Sequence, residues 1–343
     1  MSDARTPVNR LGLPLDPYKG AASTLCPGCG HDAITGSLIR TLWEMDIPPH
    51  LLAKMSGIGC SSKTTAYFGA GAWGFNAVHG RMPSVATGAL LANRHLRTLG
   101  VSGDGDTASI GIGQFVHLVR RNLPMVYVVE NNGVYGLTKG QFSATADRGS
   151  RAKKGAVNVQ EPIDLCGLAL ELGCGFVARG FSADKKQLDG ILKAAFAYRG
   201  TAVVDIVSPC VAFNNHAGST RSYDYGKEHD HHVVEVGFVP AWDPAPVEVP
   251  PGGCREVEMP DGSRVLLVAV EEAFDTTDRD GAIARLRSSR RGGELLTGIF
   301  HLATGVPTFE ETLELVAEPL AFLPGSRLRP PPGVLEAEMR ALM

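Results

Sequence analysis

The run Thr98-Leu99-Gly100-Val101-Ser102-Gly103-Asp104-Gly105-Asp106 is answered by Met125-Val126-Tyr127-Val128-Val129 and then Asn131-Asn132-Gly133. Each apolar stretch is strand-sized and does not alternate with polar residues, as in strands buried on both faces. Between them, Ile110–Arg121 carries apolar residues at helical spacing. A strand, a helix and a returning strand make a parallel pair, and both strand ends then fall on one edge of the sheet. Asp104 and Asn132, 28 residues apart, close those two ends.

The same alternation extends outward in both directions. His31–Glu44 places Ile34, Leu38 and Leu42 at helical spacing with Met45, and Ser84–Arg97, Ile163–Leu172 and Lys185–Tyr198 read alike. Leu51–Met55, Phe176–Ala178 and Ala202–Val207 are further buried strands. The expectation is an α/β fold, a mostly parallel sheet flanked by helices, over residues 26–225. A polar arm, 1–25, precedes it and a C-terminal extension, 226–343, follows. In the extension, Val247–Val249 and Glu256–Met259 are expected to pair with Arg264–Val268 around a Pro260-Asp261-Gly262 turn. Two helical stretches and the segment Pro330–Pro332 complete it.

Composition narrows the function. With 33 basic and 36 acidic side chains the net charge is −3, which offers no electrostatic footprint for nucleic acid or an anionic membrane. No apolar run reaches the ~18 residues of a membrane span. The first residues lack the apolar core of a signal peptide. A cytoplasmic location is expected, and seven cysteines there point to metal binding or burial rather than disulfides.

The turn Gly103-Asp104-Gly105-Asp106 opens a helix, so its glycines admit a diphosphate to the backbone and the helix N-terminus offers N–H groups. Asp104 and the Asn132 amide oxygen form a hard-donor pair suited to Mg²⁺. The rival is a dinucleotide fingerprint, which Gly103-x-Gly105-x-x-Ala108 satisfies formally. Two aspartates in the turn would repel bare pyrophosphate; an intervening cation removes that conflict.

Cys26 and Cys29 form a C-x-x-C before a helix, while Cys60 and Cys210 each lie just beyond a strand. Four such thiols suit an iron–sulfur cluster or tetrahedral zinc, and unrelated thiols are the third option. Residue chemistry leaves all three open.

Cys26-Pro27-Gly28-Cys29-Gly30-His31, Gly57-Ile58-Gly59-Cys60-Ser61-Ser62, His79-Gly80-Arg81, Gly103-Asp104-Gly105-Asp106 and Asn131-Asn132-x-x-Tyr135-Gly136-Leu137-Thr138-Lys139-Gly140-Gln141 occur in one order. Together, over about residues 20–225, they resemble the thiamine-diphosphate-binding β subunit of 2-oxoacid:ferredoxin oxidoreductases. The resemblance implies the diphosphate-binding type of thiamine-diphosphate fold. It also implies one 4Fe-4S cluster on Cys26, Cys29, Cys60 and Cys210. Mg²⁺ would be held by the side chains of Asp104 and Asn132 and the backbone carbonyl of Val134. Gly57, Ile58, Ser61, Ser62, Gly103, Gly105, Asp106, Leu137, Thr138 and Lys139 would complete the cofactor site. Cys166, Cys174 and Cys254 have no such role and read as buried small hydrophobes.

The implied reaction decarboxylates a 2-oxoacid, makes an acyl-CoA from CoA and passes electrons to ferredoxin. His79 with Arg81 is the candidate for polarising the substrate carbonyl, and Lys63 for its carboxylate. Only the diphosphate-binding half is present, so the pyrimidine half is expected from an α subunit, in an αβ or (αβ)2 assembly. The segment His216–Tyr223 and the stretch from Asp261 to Arg279 resemble longer β subunits associated with 2-oxoglutarate. Pyruvate or a broad range of 2-oxoacids, a plain thiamine decarboxylase, and a zinc-stabilised scaffold without catalysis are the alternatives. His229-Asp230-His231-His232 reads as solvated surface rather than a metal site.

Overall fold

Helix α1 (Gly30–Glu44) buries Ile34, Leu38 and Leu42, the stripe its spacing predicts. It leads into β1 (Leu52–Ser56), a short helix α2 (Cys60–Thr64), β2 (Trp73–Asn76) and α3 (Met82–Ala92). Then come β3 (Arg97–Gly103), a π-helical turn Gly105–Ile110, α4 (Ile112–Arg120), β4 (Met125–Asn131) and the small ladder β5 (Val134–Tyr135) with β6 (Gln141–Phe142). The second half continues with α5 (Leu165–Glu171), β7 (Phe176–Phe181), α6 (Lys185–Ala197) and β8 (Thr201–Val207). Then follow α7 (Tyr223–His229), β9 (Asp230–His232), β10 (Val234–Val239), β11 (Arg255–Glu258), β12 (Arg264–Ala269), α8 (Arg279–Gly292), β13 (Leu295–Leu302) and the short helices α9 (Phe309–Thr312), α10 (Gly325–Leu328) and α11 (Val334–Ala341). The computed structural model describes residues 6–152, 155–243, 254–271 and 274–343.

Among the described residues the main sheet has eight strands in the order β2-β1-β3-β4-β8-β7-β13-β9. The first six run parallel, and β13 pairs antiparallel to β7. Every residue of β4 and β8 is buried, which is why their sequences do not alternate. No helix among these residues is long and apolar enough to cross a membrane.

Several elements depart from the sequence reading. The helix expected to reach Arg97 stops at Ala92, because Asn93 turns extended and its side chain accepts from the His95 amide at 3.0 Å. Such a local side-chain bond competes with the helical ladder. The segment 226–343, expected as an extension, contributes β9 and β13 to the main sheet, and β13, buried at all eight positions, lies where the sequence reading gave only two helical stretches and no strand. The expected hairpin forms as β11 and β12, joined by β10 into a three-stranded sheet. Val247–Val249 lie outside the described residues.

Candidate active site

Parallel strands deliver their following loops to one edge of the sheet. Here β1 ends just before Gly57, β2 runs toward His79, β3 ends beside Asp104, β4 beside Asn132 and β8 ahead of Cys210. One cavity is walled by residues from most of these loops, including Ile58, Cys60, Ser61, His79, Asp104, Asn132, Leu137 and Thr138.

Asp104 is buried, and its carboxylate accepts from the Asn132 amide (3.3 Å), the Thr145 hydroxyl (2.6 Å) and the Ser143 hydroxyl. Burial pushes its pKa up despite those donors, so an incoming cation would relieve a desolvated acid. The Asn132 Oδ1 accepts from the Val134 amide at 3.0 Å, which fixes the amide beside Asp104. From Thr145 the polar chain continues through Asn131 and Asp205 to Arg179 and Asp164, anchoring the site in the sheet.

Asp106 is turned elsewhere. Its carboxylate accepts from the amides of Gly80 (2.8 Å) and Ile58 (3.3 Å) and the Ser102 hydroxyl (2.7 Å), and it pairs with His79 Nδ1. It therefore ties the loops after β1 and β2 to the turn after β3, and does not offer a second charge to a diphosphate. The pairing leaves His79 Nε2 as the ring nitrogen available to a ligand. A Cβ on Gly105 would lie 2.5 Å from the Tyr135 ring, so glycine is required where Tyr135 crosses the turn and donates to the Gly105 carbonyl.

The cysteines gather beside this cavity. Cys29 precedes α1 and Cys60 opens α2. A Cβ on Gly136 would lie 3.4 Å from Cys60 Sγ and 3.6 Å from Cys210 Sγ, so that loop passes both sulfurs. Burial pushes the Cys29 thiol up to about 12, with the charge of Cys210 adding to the rise. Cys60 and Cys210 are also raised by burial, and each is raised further by the charge of Cys26. Thiols that resist ionisation through burial and mutual repulsion need a metal centre to hold them as thiolates. His31, fully buried, links the two groups: Nδ1 meets the Ser208 hydroxyl at 2.6 Å and Nε2 the Asn132 amide at 3.3 Å. Burial lowers its pKa to about 4, and the ring is neutral.

The donor set fits the expected groups. A carboxylate, an amide oxygen and backbone carbonyls suit Mg²⁺, and four neighbouring thiols suit an iron–sulfur centre. Ser61, Leu137 and Thr138 line the cavity, whereas Ser62 bonds the Gly59 carbonyl and Lys63 reaches back to the Thr24 carbonyl at 3.4 Å. Arg81 and Lys139 are exposed, and neither lines the cavity. Ser143, Thr145 and Glu130 belong to the site but carry no motif; they are found only through partners distant in sequence. His232, read as solvated, pairs with Asp184 at 3.0 Å and Glu235 at 2.8 Å in an ion-pair group away from the cavity.

Residues 57–206 match the model of the thiamine pyrophosphate enzyme, C-terminal TPP binding domain. The chain is 40% identical over 223 residues to the 2-oxoacid:ferredoxin oxidoreductase 1, subunit beta, of Aeropyrum pernix, covering 65% of this chain and 67% of that one. It is 33% identical over 290 residues to the corresponding beta subunit of a Sulfolobus species, covering 84% and 85%. Among solved structures, a 2-oxoglutarate:ferredoxin oxidoreductase from Magnetococcus marinus with 2-oxoglutarate, coenzyme A and succinyl-CoA bound superposes with a TM-score of 0.74. Identity there is 28%, over 100% of this chain and 99% of that one. The chain belongs to the β subunits of the 2-oxoacid:ferredoxin oxidoreductases, multi-subunit oxidoreductases that imply an α partner, and it carries their thiamine-diphosphate-binding domain.

Proposed function

We propose that this β subunit serves the CoA-dependent oxidative decarboxylation of 2-oxoglutarate to succinyl-CoA and CO2, with ferredoxin as electron acceptor. The observation that carries this reading is the single cavity shared by Cys60 and the Asp104–Asn132 pair. A cluster on Cys26, Cys29, Cys60 and Cys210 and a diphosphate held through Mg²⁺ by Asp104, Asn132 and the Val134 carbonyl would then be neighbours. Bound thiamine diphosphate supplies the carbanion sink, and the protein binds, orients and tunes it. His79, held through Nδ1 by Asp106, is assigned to the substrate carbonyl through Nε2 together with Arg81, and Lys63 would have to leave the Thr24 carbonyl to meet the carboxylate. The pyrimidine half of the site is assigned to the α partner, in an αβ or (αβ)2 cytoplasmic complex.

The preference for 2-oxoglutarate rests on relatives: the Magnetococcus structure and a 2-oxoglutarate oxidoreductase subunit KorB of Mycobacterium tuberculosis, 38% identical over 191 residues, covering 55% of this chain and 51% of that one. Within the chain, Asn214 donates to the Asn132 carbonyl at 2.8 Å, which lays the segment toward Tyr223 against the Mg²⁺ motif. The test is viologen reduction by the anaerobic complex with CoA and each 2-oxoacid in turn. A kcat/KM for 2-oxoglutarate at least tenfold above pyruvate is expected, a margin of about 1.4 kcal/mol. Equal or greater use of pyruvate would reassign the substrate, and viologen-independent turnover would reduce the enzyme to a decarboxylase.

A further inference from the structure

On β9 the strand period sorts the run Asp230-His231-His232: residues 230 and 232 share one face, and His231 turns to solvent on the other. Asp184, the residue that caps α6, meets the shared face. His232 Nε2 lies 3.0 Å from Asp184 Oδ2 and 3.6 Å from Asp230 Oδ2. One donor atom from each of the three residues lies within 4.8 Å of the other two. Two donors about 2.1 Å from one tetrahedral zinc ion stand about 3.4 Å apart, so this spacing suits a shared ion.

The outer atoms of the same side chains are already fixed. Asp184 Oδ1 accepts from the Gln187 amide at 3.1 Å, Asp230 Oδ1 accepts from the Thr297 hydroxyl, and His232 Nδ1 meets Glu235 at 2.8 Å. A carboxylate on the far nitrogen is the usual support of a metal-bound histidine, because it fixes ring and tautomer. Charge argues the same way. Three carboxylates surround one imidazole, and among the described residues no lysine or arginine pairs with any of them. A separate observation comes from Gln187, which is 3% exposed while neither its side-chain oxygen nor its nitrogen has a partner among the described residues. It precedes Gly190 by one helical turn, and a Cβ on Gly190 would meet the Val236 carbonyl at 2.6 Å. The approaches of Asp184 to His232 and of Gly190 to Val236 therefore bracket Gln187 and turn it toward the chain leaving His232. A buried amide left unpaired at that place calls for a ligand the chain does not supply.

We propose that Asp184, Asp230 and His232 bind a zinc ion, with the Gln187 amide oxygen closing the fourth position. Calcium and magnesium draw on oxygen ligands, so the imidazole selects a transition ion, and four protein ligands make the site structural rather than catalytic. The ion ties β9, the three-residue strand at the end of the main sheet, to the loop between β7 and α6. It sits alongside the iron centre and does not replace it, and the assignment stands apart from the thiamine diphosphate reading.

The experiment is equilibrium dialysis of the anaerobically purified αβ complex against zinc chloride, after a chelator has removed loosely held zinc, with zinc and iron counted per β chain. One zinc is expected per β chain at unchanged iron, together with a melting midpoint that rises as zinc is added. Asp230→Asn and His232→Gln are expected to weaken zinc binding by about tenfold or more and to abolish the rise, with iron as in the wild type. Asp184→Asn should do the same while still capping α6, which separates loss of the ion from loss of the fold. Were the four cysteines to hold zinc instead of iron, the wild type would carry two zinc ions and the variants one. A wild type that takes up zinc only as iron leaves would overturn the proposal. So would equal zinc binding by the wild type and Asp184→Asn, which would place the ion elsewhere.

Discussion

A methyl group on Gly57 would sit 1.8 Å from Asp106 Oδ2, inside the carboxylate that ties three loops together. Gly57→Ala is therefore expected to destabilise the fold by about 3 kcal/mol, at the upper end of overpacking. Thermal denaturation checks this; a midpoint within 2 °C of wild type, on the order of the resolution of such a comparison, would contradict it. His31 gives a pH dependence. Its folded pKa of about 4 lies below the ordinary 6.5, so the unfolded chain binds the extra proton between those values. Its contribution is whole above pH 6.5 and is lost as pH falls toward 4. Urea unfolding should show about 2 kcal/mol lost between pH 7 and pH 5 from this group, absent in His31→Gln. Identical pH slopes in the two proteins would refute the assignment. At this scale Asp104, Asn132 and Cys60 were legible because each stands in a local motif after a strand. Asp106 was legible as a site residue but not as a loop tie, since Gly80, Ile58 and Ser102 reach it from three different segments.

Among elements, β13 is the instructive one. It lies between β7 and β9, and Phe300 at its centre is completely buried. Phe300→Ala should cost about 3–5 kcal/mol, the range for a large core truncation. By contrast, residues 324–343 are all exposed, and removing the chain after Arg329 should leave the melting midpoint of the isolated chain within about 2 °C. Reversal of this order would mean that the tail, not β13, completes the core. The parallel strands β1, β3, β4, β7 and β8 were legible as unalternating apolar runs. The strand β13 was not, because Thr297, Gly298 and His301 interrupt its apolar residues and a doubly buried strand offers no period to detect. The early end of α3 depends on one side-chain bond from Asn93, which no helical period announces.

For the molecule as a whole, the topology explains why the motifs lie far apart in sequence and together in space. The order β2-β1-β3-β4-β8 brings the loops carrying Cys60, His79, Asp104, Asn132 and Cys210 to one edge. The fold class could be read from the alternation of strands and helices, and the family from the order of motifs. Strand order could not, since the sequence shows which segments are strands but not which are neighbours. The central claim is that one β chain unites an iron–sulfur centre with thiamine diphosphate. The most direct test is to purify it anaerobically with its α partner and quantify iron, acid-labile sulfide and thiamine diphosphate per β chain. About four irons, four sulfides and one thiamine diphosphate, one cluster's complement, is the predicted result. Zinc in place of iron, with no thiamine diphosphate, would contradict it.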